Sequence, residues 1–422
     1  MNKEEINSNK CPICGRPTHK ESKYCIFHTS AEEKTEEEFK KALKEYIDKI
    51  KKADGDYDFK EFIFIGDIYF KKDLNITIFG NADFRKTTFN GCATFEGATF
   101  EAGAYFTWAT FNGPAFFSNS TFEAGANFTG ATFNEHAFFS GATFKTGATF
   151  TGATFKEHAY FTFTTFNGHA TFDKANFKGD VSFYLKNLLT YLNLNETKVF
   201  PGKKLSINVN NGKQNIFFQR AYLENACLDL ELCEDVFIDL TDTLLRNTKI
   251  KKDQIKSHIL QEKEKKFSEA QEIFLLLKNN FHSIGQYEDE SWAFTKEKDM
   301  ERKNNCHFKS LHKWLWSCFL NGIFGYGIQP FKVIMSAILI ITLFAFLFMN
   351  PGISNVVGIE EITSNNFFDC LYFSTITFTT LGYGDFRPLE GLGRILAGSE
   401  AFIGAFMMAL FVYTFARRTG GR

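Results

Sequence analysis

Two unlike domains are predicted: an all-β solenoid of short stacked segments, then an α-helical membrane domain with two spans. Three observations predict this. Phenylalanine recurs across residues 84–183 at gaps that alternate between five and six. Two apolar runs, 330–349 and 393–416, are each long enough to cross a bilayer core at 1.5 Å per residue. Between them lies a shorter apolar run, 366–379, followed by the stretch Thr379-Thr380-Leu381-Gly382-Tyr383-Gly384-Asp385.

The chain opens with a metal-ligand pattern. Cys11 and Cys14 form a CxxC pair, and Cys25 and His28 form a CxxH pair ten residues further on. Three thiolates and one imidazole at this spacing suit a tetrahedral zinc ion in a module spanning 1–30. Four protein ligands close the shell and leave no place for a water nucleophile, so the expected Zn2+ is structural. Arg16, Lys20 and Lys23 are too few to favour nucleic acid, and a net charge of −1 adds no global basicity. Nine cysteines at irregular spacing fit a reducing compartment better than a disulfide scaffold. The charged, polar N-terminus is not expected to be a secretory signal.

An amphipathic helix follows over 31–55, with Phe39, Leu43, Ile47 and Ile50 at helical spacing and Asp54-Gly55 to end it. Its place suits it to cover the open end of the next domain.

That domain is expected over 56–251, with a strict eleven-residue repeat over 82–183 that holds 22 of the 53 phenylalanines. Two residues before nearly every Phe stands a small residue, usually Ala. In an extended segment these two share a face, so both point inward while the residue between points out. Gly, Asn and Glu between segments make corners. No five-residue segment buries its face alone, so the units must stack.

The pattern resembles the pentapeptide-repeat family, with weaker continuations at 59–79 and at Ala221 to Leu228. The resemblance implies a right-handed, four-sided β-helix. The six-residue step departs from the family and gives about 22 residues per coil, so the corners are expected to be looser. Some members of that family mimic DNA through acidic surfaces. Outward positions here are Thr, Asn, Gly and mixed Glu and Lys, which disfavours mimicry. A spacer or assembly platform is the plainer reading. His136 and His158, 22 residues apart, should stack on one corner, where they could sense protons or metal.

Residues 184–251 lose strict register and are expected to end the solenoid. A helical hairpin linker is expected over 252–306, with Phe267, Ala270, Ile273, Phe274, Leu277 and Phe281 as one stripe, a break at Ser283-Ile284-Gly285, and a second helix carrying Trp292 and Phe294. Over 307–329, Leu311, Trp314, Leu315, Cys318 and Phe319 with Lys309, His312 and Lys313 read as an interfacial helix.

The pore domain is expected over 330–418: outer helix 330–349, a re-entrant pore helix 366–379, filter 380–385 and inner helix 393–416. Gly382 and Gly384 permit backbone angles that aim successive carbonyls at one axis. Rings of such carbonyls, with the Thr380 hydroxyl, replace the hydration shell of K+. One loop per chain then implies four chains around the axis, a homotetramer.

Residues 328–418 resemble the pore module of two-transmembrane bacterial potassium channels. The resemblance places Thr380, Leu381, Gly382, Tyr383 and Gly384 on ion-coordinating positions, with Thr379 and Asp385 supporting them, and Gly404 at the gating hinge. Leu381 stands where valine or isoleucine is commoner. Ile376 stands where some members carry a carboxylate braced against the filter aspartate. On the inner helix, Glu400 is an intramembrane carboxylate with either a gating role or a hydrogen bond to the pore helix or a neighbouring subunit. Phe406, Met407, Leu410 and Phe411 could form an apolar constriction that gates by dewetting.

Basic residues flank the spans at Lys303, Lys309, Lys313, Arg417, Arg418 and Arg422, which puts both termini in the cytoplasm, and a bacterial inner membrane is expected. The sequence therefore reads as a potassium channel gated from its N-terminal region, with lipid, K+ and an unknown cytoplasmic ligand or protein as partners and no nucleic acid. No nucleophile or acid–base pair converges, so it is not read as an enzyme. The alternatives are a membrane-anchored repeat scaffold or a poorly selective cation channel. An anchor has no reason to carry an intact filter, and Tyr383 argues for selectivity.

Overall fold

The computed structural model describes residues 9–53, 56–305, 321–322, 325–327, 329–349, 356–358, 363–364, 366–388 and 391–419. It divides into two units, Met1–Ala293 and Phe294–Arg422.

In the first unit each small-x-Phe triplet becomes a short strand whose small residue and Phe are buried and whose middle residue is turned outward. The strands stack in parallel on four faces. One face has nine strands and another seven; the other two share a twelve-stranded sheet, because the longer strand Ala159–Phe166 runs round the corner between them. Thr110 pairs with Thr88 below and Thr132 above, and Asn112 bonds Asn90 across 22 residues, so the coil has the expected length.

The looser corners are only half the story. Five-residue steps close as tight turns with a left-handed third residue, as at Lys86, Trp108 and Gly130, and a bond such as Ala109 N to Phe106 O of 3.0 Å. The extra residue goes into the alternate corners, so tight and wide corners alternate.

Inside, Phe84, Phe106, Phe128, Phe150 and Phe172 form one column, centroids 4.6–4.8 Å apart and planes within 2°. Neighbouring columns meet edge-on, as Phe106 meets Phe117 at 5.3 Å and 87°. Each ring thus has both preferred aromatic geometries. Phe128→Ala is expected to cost about 3–5 kcal/mol, because close-packed columns cannot collapse into the gap. Urea unfolding of the wild type and the variant checks this.

Past Phe183 the coil continues instead of stopping. Val181 pairs with Leu205 and Leu205 with Leu228, with Leu, Ile and Val replacing Phe inside. The strands run to Ile238–Asp239.

Both ends are covered, as exposed strand edges require. At the N-terminal end the helix is Glu36–Ala53, preceded by a separate 3-10 turn, Ala31–Glu33. Thr35 and Glu38 exchange capping bonds, which starts the helix later than its apolar spacing suggested. Phe39, Leu43, Ile47 and Ile50 all face the coil. Side-chain donors meet first-coil carbonyls: the Tyr46 hydroxyl to Asp58 at 2.7 Å and the Lys51 ammonium to Leu74 and Asn75 at 2.9 Å. At the other end the helix Phe267–Ser283 supplies acceptors. Asn280 Oδ1 accepts from Thr248 N at 2.9 Å, and Ser283 Oγ from Asn247 N at 3.1 Å. The apolar stripe of this helix is therefore buried as an end cap, with Phe267 only half-buried. Gly285 follows, then the helix Tyr287–Asn304, whose Trp292 meets Phe274 edge-on at 5.7 Å.

The second unit holds an outer helix, Pro330–Met349, a pore helix, Phe367–Phe378, and an inner helix, Leu392–Thr419. The outer and inner helices are long and apolar enough to cross a membrane. Strand Val356–Gly358 pairs antiparallel with Thr363–Ser364 and with Phe386–Pro388, which ties the segment after Asp385 to the loop after the outer helix. The side chains proposed for the interfacial helix, from Lys309 to Phe319, lie outside the described residues.

Candidate functional site

The pore helix is short because it is punctuated at both ends. Asn366 caps it, accepting from Phe368 N at 3.2 Å, and after Thr379 the chain leaves the helical path. Leu381 N still reaches back to Ile376 O at 2.9 Å, which anchors the start of the filter to the helix end. Gly382 at φ +52° and Gly384 at +82° take the left-handed backbone that their motif predicts. No atom lies near where a Cβ would project from either, so backbone angle and not space demands glycine. Thr380 shares this region at φ +56°, a costly conformation for a β-branched residue, and its hydroxyl donates to Thr379 O at 2.7 Å. Leu381 is 61% exposed and Tyr383 70%, so this chain alone leaves both side chains uncovered.

Next to this stretch, Tyr372 meets Phe386 edge-on at 5.8 Å, beside Asp385. The sequence shows the missing carboxylate at Ile376 but gives no sign that Tyr372, one helical turn earlier, lies beside Asp385. Ile376 itself is buried in the cluster with Phe344, Phe348 and Cys370.

The inner helix runs unbroken through Gly404. A Cβ there would lie 1.9 Å from Phe378 O, so glycine lets the pore-helix end press on the inner helix. Glu400 is buried and bonded to Ser374 on the pore helix, the second of its two expected roles. The four constriction residues do not share a face. Met407 is buried against Val333 and Phe378, with Leu410 and Phe411 half-buried beside it, whereas Phe406 is exposed. Met407, expected in the constriction with Phe406, Leu410 and Phe411, is thus turned into the packing of its own chain. Met408 and Val412 lie exposed instead.

In the first unit, ligand atoms of Cys11, Cys14, Cys25 and His28 all lie within 4.8 Å of one another. Cys14 and Cys25 sulfurs are 3.5 Å apart, and His28 Nδ1 is 3.2 Å from Cys25 Sγ. His28 Nε2 donates to Lys60 O at 3.0 Å, which fixes the tautomer and leaves Nδ1 free for a metal. Burial lowers the His28 imidazole below its ordinary range and pushes the Cys25 thiol up to about 12, with Cys14 beside it adding to the rise. A cation is what such a cluster lacks, and the donor set fits zinc. Arg16 lies over Tyr46 at 4.5 Å, and Phe27 stacks on Phe62 at 4.5 Å, so the cluster is built onto the first coil.

His136 and His158 do stack, centroids 5.3 Å apart, and His158 Nδ1 lies 3.7 Å from Asp180 Oδ2.

With this geometry in hand, comparison with known proteins agrees in two places. Residues 333–420 match the family model described as "Ion channel", and three overlapping segments, 74–121, 106–154 and 139–184, match "Pentapeptide repeats (9 copies)". The chain thus joins pentapeptide repeats, folded as a β-solenoid, to an ion channel domain, and ion channels conduct instead of catalysing a reaction. Over 88 residues it is 33% identical to "Two pore potassium channel a" of Oryza sativa subsp. japonica, covering 20% of this chain and 25% of that one. Over 84 residues it is 40% identical to "Probable potassium channel protein 2" of Methanocaldococcus jannaschii, covering 19% and 21%. A third relative, "Hyperpolarization-activated voltage-gated potassium channel" of the same archaeon, is 53% identical over 32 residues, 8% of this chain and 15% of that one. The chain spans a quarter or less of the length of these curated relatives. No solved structure matches.

Proposed function

We propose that this protein is a potassium-selective channel of a cell membrane, in which four copies place the carbonyls of Thr380 to Gly384 around one axis. One observation carries the reading: a capped helix too short to span, set between two helices that can, delivers a loop whose glycines adopt left-handed backbone. The three relatives reported above are named as potassium channels, which supports the choice of ion. Thr379 and Asp385 support the filter. A structural Zn2+ at Cys11, Cys14, Cys25 and His28 secures the N-terminal cap. The solenoid, with its caps and the helix Tyr287–Asn304, is the gating input, and both termini lie in the cytoplasm, as the flanking basic residues require.

Flux from liposomes tests the gating part. The chain lacking residues 1–300 should conduct K+ under conditions where the intact chain is closed, and equal flux from both would remove the N-terminal region as the gate.

The dewetting gate is assigned to Met408 and Val412, exposed inner-helix residues four apart and so on one face. Met408→Asn or Val412→Asn should raise resting K+ flux several-fold. Met407→Asn should lower thermal stability instead, because it buries an amide against Val333 and Phe378.

A further inference from the structure

Glu400 is the one carboxylate fully buried within the packing of the three pore-domain helices, among the described residues. Its partner is the hydroxyl of Ser374, which also donates to Ile341 O on the outer helix at 2.8 Å. The three residues therefore join inner helix, pore helix and outer helix through one serine oxygen.

Proton counting decides what that junction is. A serine hydroxyl has one hydrogen, and a backbone carbonyl only accepts. If the hydrogen serves Ile341 O, the Glu400 contact is a hydrogen bond only when Glu400 itself donates. If Glu400 were ionised, serine's one hydrogen would be contested by two acceptors. Glu400 Oε2 has no partner among the described residues and is shut off from solvent. An ionised carboxylate with one oxygen unpaired in a membrane interior is among the costliest arrangements a protein can hold.

Resting on the channel reading, we propose that Glu400 is a neutral acid in the conducting pore and a positioning residue for the filter. The acid donates to Ser374 and Ser374 to Ile341 O, a relay that clamps the pore helix from behind. Ionisation removes the first donor and frees the Ser374 hydrogen to turn back to Glu400, so the outer helix is released.

Among the described residues, the three helices place no compensating charge beside Glu400. The outer helix carries Lys332, bonded to Asn321 O at 3.3 Å, about two turns below Ile341. On the pore helix, Cys370 is buried one turn before Ser374, while Asp369 and Tyr372 lie on other faces. On the inner helix Arg394 stands in the first turn. Each of these would leave Glu400 among apolar neighbours such as Phe344, Leu396 and Ile403.

The test uses the intact protein in liposomes with two readouts. Infrared difference spectroscopy should show the carbonyl stretch of a protonated carboxylic acid that Glu400→Gln removes, and Ser374→Ala should move that band to higher frequency. Potassium flux should fall as the medium is made alkaline, in step with loss of the band. Glu400→Gln, whose amide still donates, should conduct at the wild-type acid level and not respond to pH. Absence of any band difference, or identical pH profiles of wild type and Glu400→Gln, would overturn the proposal. A Glu400 band in a protein with no flux at any pH would support the protonated acid and instead count against the channel reading.

Discussion

Gly382→Asp is expected to reduce K+ flux to that of protein-free liposomes, while the solenoid's circular dichroism and melting stay unchanged. At φ +52° any Cβ costs about 1–2 kcal/mol per chain. Four copies share one pore in the proposed assembly, so the penalty is paid around the whole ring. The substituted residue relaxes toward the right-handed region and turns its carbonyl off the axis, and the new carboxylates would bind cations where carbonyls should pass them on. Circular dichroism separates this from misfolding, because the glycine contacts nothing that packs. Flux near the wild-type level from Gly382→Asp would mean that ions take another route.

The second large effect concerns the N-terminal cluster. Metal analysis of the purified chain should find one zinc per chain, and Cys25→Ala should lose it. Structural zinc sites of this kind contribute apparent binding free energies of about 10–16 kcal/mol, far more than a module of some thirty residues gains from its own core. Without the ion, His28 has no reason to stay on Lys60 O, and Phe27 loses its seat on Phe62. Limited proteolysis should then cut between residues 28 and 60, with the coils beyond Phe84 resisting, since each repeat is held chiefly by its neighbours. A zinc-free chain with an undisturbed cap would contradict the assignment.

Much of the solenoid was legible because one physical requirement is repeated: within the strict repeat each inward position faces the same position 22 residues away, so a single substitution pattern fixes register there. The corners were less so. Whether the eleventh residue loosens every corner or alternate ones depends on which turn takes left-handed backbone, and Lys86 and Trp108 do so without being glycine. The gathering of Cys11, Cys14, Cys25 and His28 and the left-handed backbone at Gly382 and Gly384 were readable because chemistry prescribes the spacing. The Thr35–Glu38 capping box was also in plain view and would have placed the helix start. The end cap was not, since nothing in the stripe of Phe267–Ser283 says that its partner is a coil edge, and Asn280, which makes the decisive bonds, looks like an interruption of that stripe. Faces of the inner helix were unreadable for a different reason. A helix that is apolar all round carries no stripe to distinguish Met407, buried, from Met408, exposed. Likewise Ser374 and Glu400 stand 26 residues apart, with no local pattern to join them.

The most direct test of the central claim is the reversal potential of single channels in a planar bilayer with K+ on one side and Na+ on the other. The account predicts discrete openings that reverse close to the potassium equilibrium potential. Openings that reverse near zero would contradict selectivity by the Thr380–Gly384 carbonyls, and a folded, membrane-inserted tetramer that stays silent even without residues 1–300 would contradict the pore itself.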